Sequence, residues 1–131
     1  MKIAFATSDY QHINAHFGWA EILSVYEVSP EGYRLIEHHH FPLGQEDGNE
    51  DKLVPKLDFL ESCQDCKIVY VSAIGGSAAA RLINKGITPI KAPSEEEGII
   101  STLDRLVHTL QTSPPPWLRK ALGLKPKFTE E

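Results

Sequence analysis

At 131 residues the chain is sized for one globular domain and lacks the length for a second core of comparable size. Its 41% hydrophobic and 24% charged residues exclude a disordered or fibrous protein, and a net charge of -5 with no run among the 13 Lys and Arg argues against a nucleic-acid footprint, which needs a basic face. No apolar stretch reaches membrane-span length and no signal-peptide pattern opens the chain, so a cytoplasmic location is expected, with Cys63 and Cys66 as thiols of a reducing compartment.

Residues 2–7 form an apolar run of strand length. Ser8-Asp9-Tyr10-Gln11-His12-Ile13-Asn14-Ala15-His16-Phe17-Gly18 follows at once, polar, with two histidines and a closing glycine. Two readings are open for this loop. Its His16-Phe17-Gly18 end supplies a metal-capable imidazole, an aromatic wall and a residue that permits close approach. It is equally a turn with His16 half exposed, Phe17 in the core and Gly18 supplying a positive φ.

Residues 21–28 and 33–40 are β-branched or alternating runs around Ser29-Pro30-Glu31-Gly32, which predicts an antiparallel hairpin. A polar loop over 41–48 leads to Asn49, a candidate helix cap, and the spacing of Leu53, Leu57 and Leu60, with Val54 beside them, predicts a helix over 50–62 with acidic residues in its first turn. Pro55 requires that this helix start late or bend. Residues 67–74 are continuously apolar, as a central strand buried on both faces would be. Gly75-Gly76-Ser77 then opens a helix over 78–85 with Gly86 as its left-handed stop, and Pro89 assigns 87–91 to a sheet edge. Ser94-Glu95-Glu96-Glu97 reads as a capping box for a last helix whose stripe is Ile99, Leu103, Leu106, Val107 and Leu110. Ser113-Pro114-Pro115-Pro116 breaks the pattern, so the domain is expected over 1–112 and a proline-rich tail over 113–131, in which Trp117 begins a short amphipathic stretch.

This order predicts an α/β protein with three layers and a five-stranded mixed sheet. If the first and fourth strands are parallel neighbours, the His16 loop and the Gly75-Gly76-Ser77 loop emerge at one edge, where backbone N–H groups at a helix start favour an anion. A tight strand-to-helix turn accounts for Gly75-Gly76-Ser77 equally well. Cys63-Gln64-Asp65-Cys66 follows a helix, whereas a reactive thiol pair precedes one. A zinc site there would need His38-His39-His40, of which His38 and His40 share one strand face and His39 takes the other. A solvated strand end and a small buried Cys66 is the simpler account. No Gly-x-Ser-x-Gly elbow and no converging set of carboxylates supports hydrolysis.

Taken together, the first strand with Ser8-Asp9 and His16-Phe17-Gly18, then Ala73-Ile74-Gly75-Gly76-Ser77-Ala78-Ala79-Ala80-Arg81 and Gly86-Ile87-Thr88-Pro89-Ile90-Lys91, resemble the NifX and NafY family of nitrogenase iron-molybdenum cofactor carriers. The resemblance covers residues 1 to about 112 and implies a ribonuclease-H-like fold without enzymatic activity. It implies transient binding of the iron-molybdenum cofactor or its iron-sulfur precursor, with NifB as donor and NifEN as acceptor, by a monomer or weak homodimer. His16 falls on the family's cluster ligand, and the cofactor-binding edge comprises Ser8, Asp9, His16, Phe17, Gly18, Gly75, Gly76 and Ser77. Many members carry a cysteine at or near the end of the fourth strand, where this chain has Val71-Ser72-Ala73-Ile74; Cys66 sits where members often have a cysteine, and the resemblance offers it beside His16 as a metal ligand. Two other readings are kept: a regulatory or interaction module of the same fold that binds a protein or small anion without metal, and a zinc or thiol redox protein using Cys63 and Cys66.

Overall fold

A computed structural model describes residues 1–41 and 53–122, without the side chains of 121 and 122. Among the described residues five strands, β1 (Lys2–Thr7), β2 (Ile22–Ser29), β3 (Gly32–His40), β4 (Cys66–Val71) and β5 (Thr88–Lys91), form one sheet in the order β3-β2-β1-β4-β5. β2 is antiparallel to β1 and β3, whereas β1, β4 and β5 run parallel. The described residues also form four helices, α1 (Val54–Ser62), α2 (Gly76–Asn84), α3 (Ile99–Thr112) and α4 (Pro116–Leu122). This mixed sheet between helical layers is in keeping with the ribonuclease-H-like arrangement that the resemblance implies.

The alternation of side chains along the strands divides the core in two. Ala4, Ala6, Leu23, Val25, Val69 and Val71 face Leu57 and Leu60 of α1 and Ala78 and Leu82 of α2. On the other face Ile3, Phe5, Tyr26, Val28 and Ile68 meet Ile99, Leu103, Leu106 and Leu110 of α3. The stripe read from the sequence of the last helix is therefore its core face.

The hairpin is formed as expected, its two-residue turn closed by Gly32 at φ +146, a backbone that a side chain would strain. Gly86, at φ +80, ends α2 as expected, and β5 is an edge strand. α1 starts late: Pro55 lies in its first turn, where its missing N–H has no helical partner to lose. The proposed Asn49 cap and acidic first turn lie outside the described residues.

Four expectations are corrected. β4 is an inner strand, but β1 holds the middle of the sheet, and β4 ends at Val71 because the next residues leave to bond the His16 loop. Val54 is exposed, and Lys56 is buried in its place with its ammonium 5.0 Å from the Phe41 ring centroid. Ser94 to Glu97 is not a capping box: Gly98 is the residue that caps α3, without a side-chain hydrogen bond, and the Ser94 hydroxyl accepts from the Glu96 N–H within its own turn. The cause is tertiary, since the Ile13 N–H donates to the Glu97 carbonyl at 2.9 Å and the Ile99 N–H to that of Gln11 at 2.8 Å, which holds the chain extended there. Finally, the folded body continues past Thr112: α4 returns Leu118, 1% exposed, to the α3 side of the core, while Trp117 stays 44% exposed.

Candidate functional site

The parallel β1–β4 pairing brings the two suspected loops to one edge. The His16 loop leaves β1 at Thr7, makes an excursion over residues 8–14 and returns alongside the end of β4. There the Ser72 N–H donates to the Ala15 carbonyl at 3.0 Å and the Phe17 N–H to the Ala73 carbonyl at 2.9 Å, a parallel bridge centred on His16 and Ala73. Gly75 lies two residues beyond Ala73, so His16 and the start of α2 are neighbours by backbone construction.

Phe17 is fully buried and anchors the turn, while His16 is half-buried and caps a 3₁₀ turn over Phe17–Trp19. Its Nδ1 accepts the Gly18 N–H at 3.0 Å, which in the neutral ring leaves the proton on Nε2. Gly18 does not have a positive φ, contrary to the turn reading, and a Cβ there would make only ordinary contacts with the His16 ring and Leu53. Trp19, which ends this turn, is 59% exposed; a tryptophan directly after the glycine is the sequence signal for it.

Gly75, Gly76 and Ser77 are exposed at the start of α2. Neither glycine has a positive φ, and a Cβ on either would meet nothing within 4 Å. The fold does not require these glycines. They leave the first-turn N–H groups of α2 open, and no side chain caps them.

Ser8 and Asp9 build the loop. The Ser8 N–H donates to Asn14 Oδ1 at 2.9 Å, and Asp9 Oδ1 accepts the Gln11 and His12 N–H groups at 2.9 Å each. Asp9 Oδ2 lies 2.7 Å from His12 Nδ1, and the His12 contact foremost, with the backbone donors, holds the Asp9 carboxyl well below the usual carboxylate range. Tyr10, at φ 69, turns its hydroxyl to within 2.7 Å of His40 Nε2, and His38 Nδ1 lies 2.7 Å from the Ser24 hydroxyl. His39 stacks on Phe59 on the opposite face, as strand alternation requires. These histidines are built into the sheet end rather than simply solvated.

Cys66 is at the far end of the sheet. It pairs with Lys2 at the start of β1, seven residues before Ala73, so about 20 Å separates it from His16 at ~3.3 Å per residue. The two cannot share a metal. Burial foremost, then the neighbouring Cys63, pushes the Cys66 thiol up to about 12, and burial raises Cys63 as well, so neither is a ready thiolate. Among the described residues no group of three or more His, Cys, Asp or Glu side chains could hold a metal ion.

Fold and site together define a small α/β domain whose loops gather an imidazole and open backbone donors at the carboxyl ends of two parallel strands. Residues 1–107 match the family model described as dinitrogenase iron-molybdenum cofactor, and the chain belongs to that family. It is 48% identical over 123 residues to the NifX protein of Herbaspirillum seropedicae, covering 93% of this chain and 82% of that one. It is 38% identical over 138 residues to NifX of Rhodobacter capsulatus, covering 100% and 84%. The solved structure of PH0822 shares the fold, with a TM-score of 0.64 at 19% identity over 90% of this chain and 98% of that one.

Proposed function

We propose that this chain is a carrier in nitrogenase cofactor biosynthesis, which binds the iron-molybdenum cofactor or its iron-sulfur precursor as cargo and passes it on. The observation that carries the reading is the juxtaposition of half-buried His16 with the uncapped start of α2 across the Phe17–Ala73 hydrogen bond. An iron-sulfur cofactor is anionic and soft, and is suited by one imidazole on iron with N–H donors and a positive helix end towards its sulfides. Access for so bulky an anion explains glycines that the fold itself does not need.

Release is built into the same ring. Iron on Nε2 would leave the ring proton on Nδ1, pointing at the Gly18 N–H that Nδ1 now accepts, and iron on Nδ1 would displace that N–H directly. Loading therefore costs the Gly18 hydrogen bond, and its re-formation assists departure. The chain does not catalyse a bond change, and it works in the cytoplasm, as a monomer or weak homodimer, between NifB as donor and NifEN as acceptor. Membership of the family and likeness to NifX proteins over most of the chain support this placement.

Anaerobic titration with isolated cofactor or precursor, followed by visible absorbance, tests the reading. His16→Ala is expected to weaken binding by about 100-fold or more, since even outer-shell partners of metal ligands are worth 10- to 100-fold. Its melting temperature should stay near the parent's. His12→Ala, in the same loop but engaged with Asp9, should bind as the parent does. Unaltered affinity in His16→Ala would reject His16 as the ligand, and absence of binding by the parent would leave the metal-free module as the better account.

A further inference from the structure

On the sheet face opposite α1 and α2, the carboxyl ends of β4 and β5 and the first turns of α3 surround an open cavity of about 300 Å³. Its floor is apolar, with Ile13 fully buried and Leu106 nearly so. Tyr70 forms one wall, its ring stacked on Phe5 at 5.2 Å between centroids and 7° between planes. At the rim stand Lys91, Arg105 and Glu97. Glu97 is already engaged, accepting from the Thr102 hydroxyl and from Arg105. Lys91 has no carboxylate partner among the described residues, and none of them hydrogen-bonds the Tyr70 hydroxyl. Two cations against one carboxylate leave the rim net positive, above a floor that has nothing to offer a fully hydrated ion.

We propose that this cavity binds a small organic carboxylate with a flat apolar body, the body lying against Tyr70, Ile13 and Leu106 and the carboxylate at Lys91 and Arg105, with the Tyr70 hydroxyl as a further donor. Each ligand feature answers a group that the protein leaves unmet. The apolar floor gains from covering by a ring. Lys91 gains a counter-charge, and the phenol, protonated at neutral pH in any case and raised further by burial against the lowering effect of Arg105, gains an acceptor. A volume at the low end for ligand pockets restricts the occupant to a small molecule. The site uses neither His16 nor the start of α2 and does not depend on the cofactor reading, although it lies at the same sheet edge and its Ile13 belongs to the His16 loop, with its N–H bonded to the Glu97 carbonyl.

Benzoate is the probe, added to the full chain labelled with ¹⁵N and followed by amide chemical shifts. Saturable shifts are expected at the amides of residues 90–92 and 102–109 with a Kd on the order of 1 mM, ordinary for nine heavy atoms. Tyr70→Phe keeps the ring on Phe5 and removes only the hydroxyl, and Lys91→Met removes only the charge; each should weaken binding about fivefold. Lys85→Met, a remote cation paired with Glu61, should bind benzoate as the parent does. Benzamide should bind at least about fivefold more weakly than benzoate, and inorganic phosphate should not produce these shifts. No saturation by about 10 mM benzoate would overturn the proposal. So would parent-like affinity in both cavity variants, equal binding of benzamide, or phosphate reproducing the same shifts.

Discussion

Asp9 is the residue on which the geometry of the His16 loop turns, because one carboxylate satisfies two backbone N–H groups and the His12 ring. Its folded pKa is depressed from 3.8, so the charged form contributes stability above the ordinary value, and that contribution is lost as pH falls towards the folded one. At 41% side-chain exposure, solvent screening holds the effect to about 1 kcal/mol or less. Asp9→Asn should therefore melt below the parent at neutral pH, with the gap narrowing once the pH drops below about 4. Thermal melts across that range check it, and a gap independent of pH would mean that the amide has disturbed the turn by some other route.

Among the elements, α2 and α4 make opposite predictions. At Gly76 a Cβ meets open space, and the first helical position needs no special backbone, so Gly76→Ala should melt at or above the parent's temperature. If the cofactor approaches the start of α2 closely, the same variant should still lose cofactor affinity in the anaerobic titration. Stability and binding separate there. In α4 Leu118 is part of the core, and Leu118→Ala should cost about 2 to 4 kcal/mol in denaturant unfolding. Trp117→Ala, next to it but half exposed, should cost much less. A chain ended after Thr112 loses the Leu118 contact altogether and should show a lowered melting temperature; an unchanged transition would return α4 to the status of a tail.

Over the whole molecule, the sheet separates its two chemistries by its length. His16 belongs to the carboxyl edge of the parallel strands, and the cysteines belong to the other. With Cys66 buried and its thiol raised to about 12, alkylation at neutral pH should mark Cys63 first and Cys66 only as the core opens. Peptide mapping after timed iodoacetamide treatment, with and without sub-denaturing urea, measures this. Cys66 labelling as fast as that of Cys63 in buffer would show that β4 opens locally.

Local patterns determined most of the elements. Apolar period placed the strands and the α3 stripe, glycine chemistry placed the hairpin turn and the end of α2, and Pro55 and Pro89 marked a helix start and a sheet edge. These are short-range effects, written in neighbouring residues. The site was legible only as two suspect loops with a condition attached, that β1 and β4 be parallel neighbours. The long-range pairing met that condition and decided the rest. It drew residues 15–17 onto the end of β4, placed Cys66 out of reach of His16, held Glu97 extended so that no capping box could form, and returned Leu118 to the core. Each of these outcomes rests on hydrogen bonds or packing between residues far apart in the chain. Propensity and spacing are blind to such pairings, because their free energy exists only once the two segments have met.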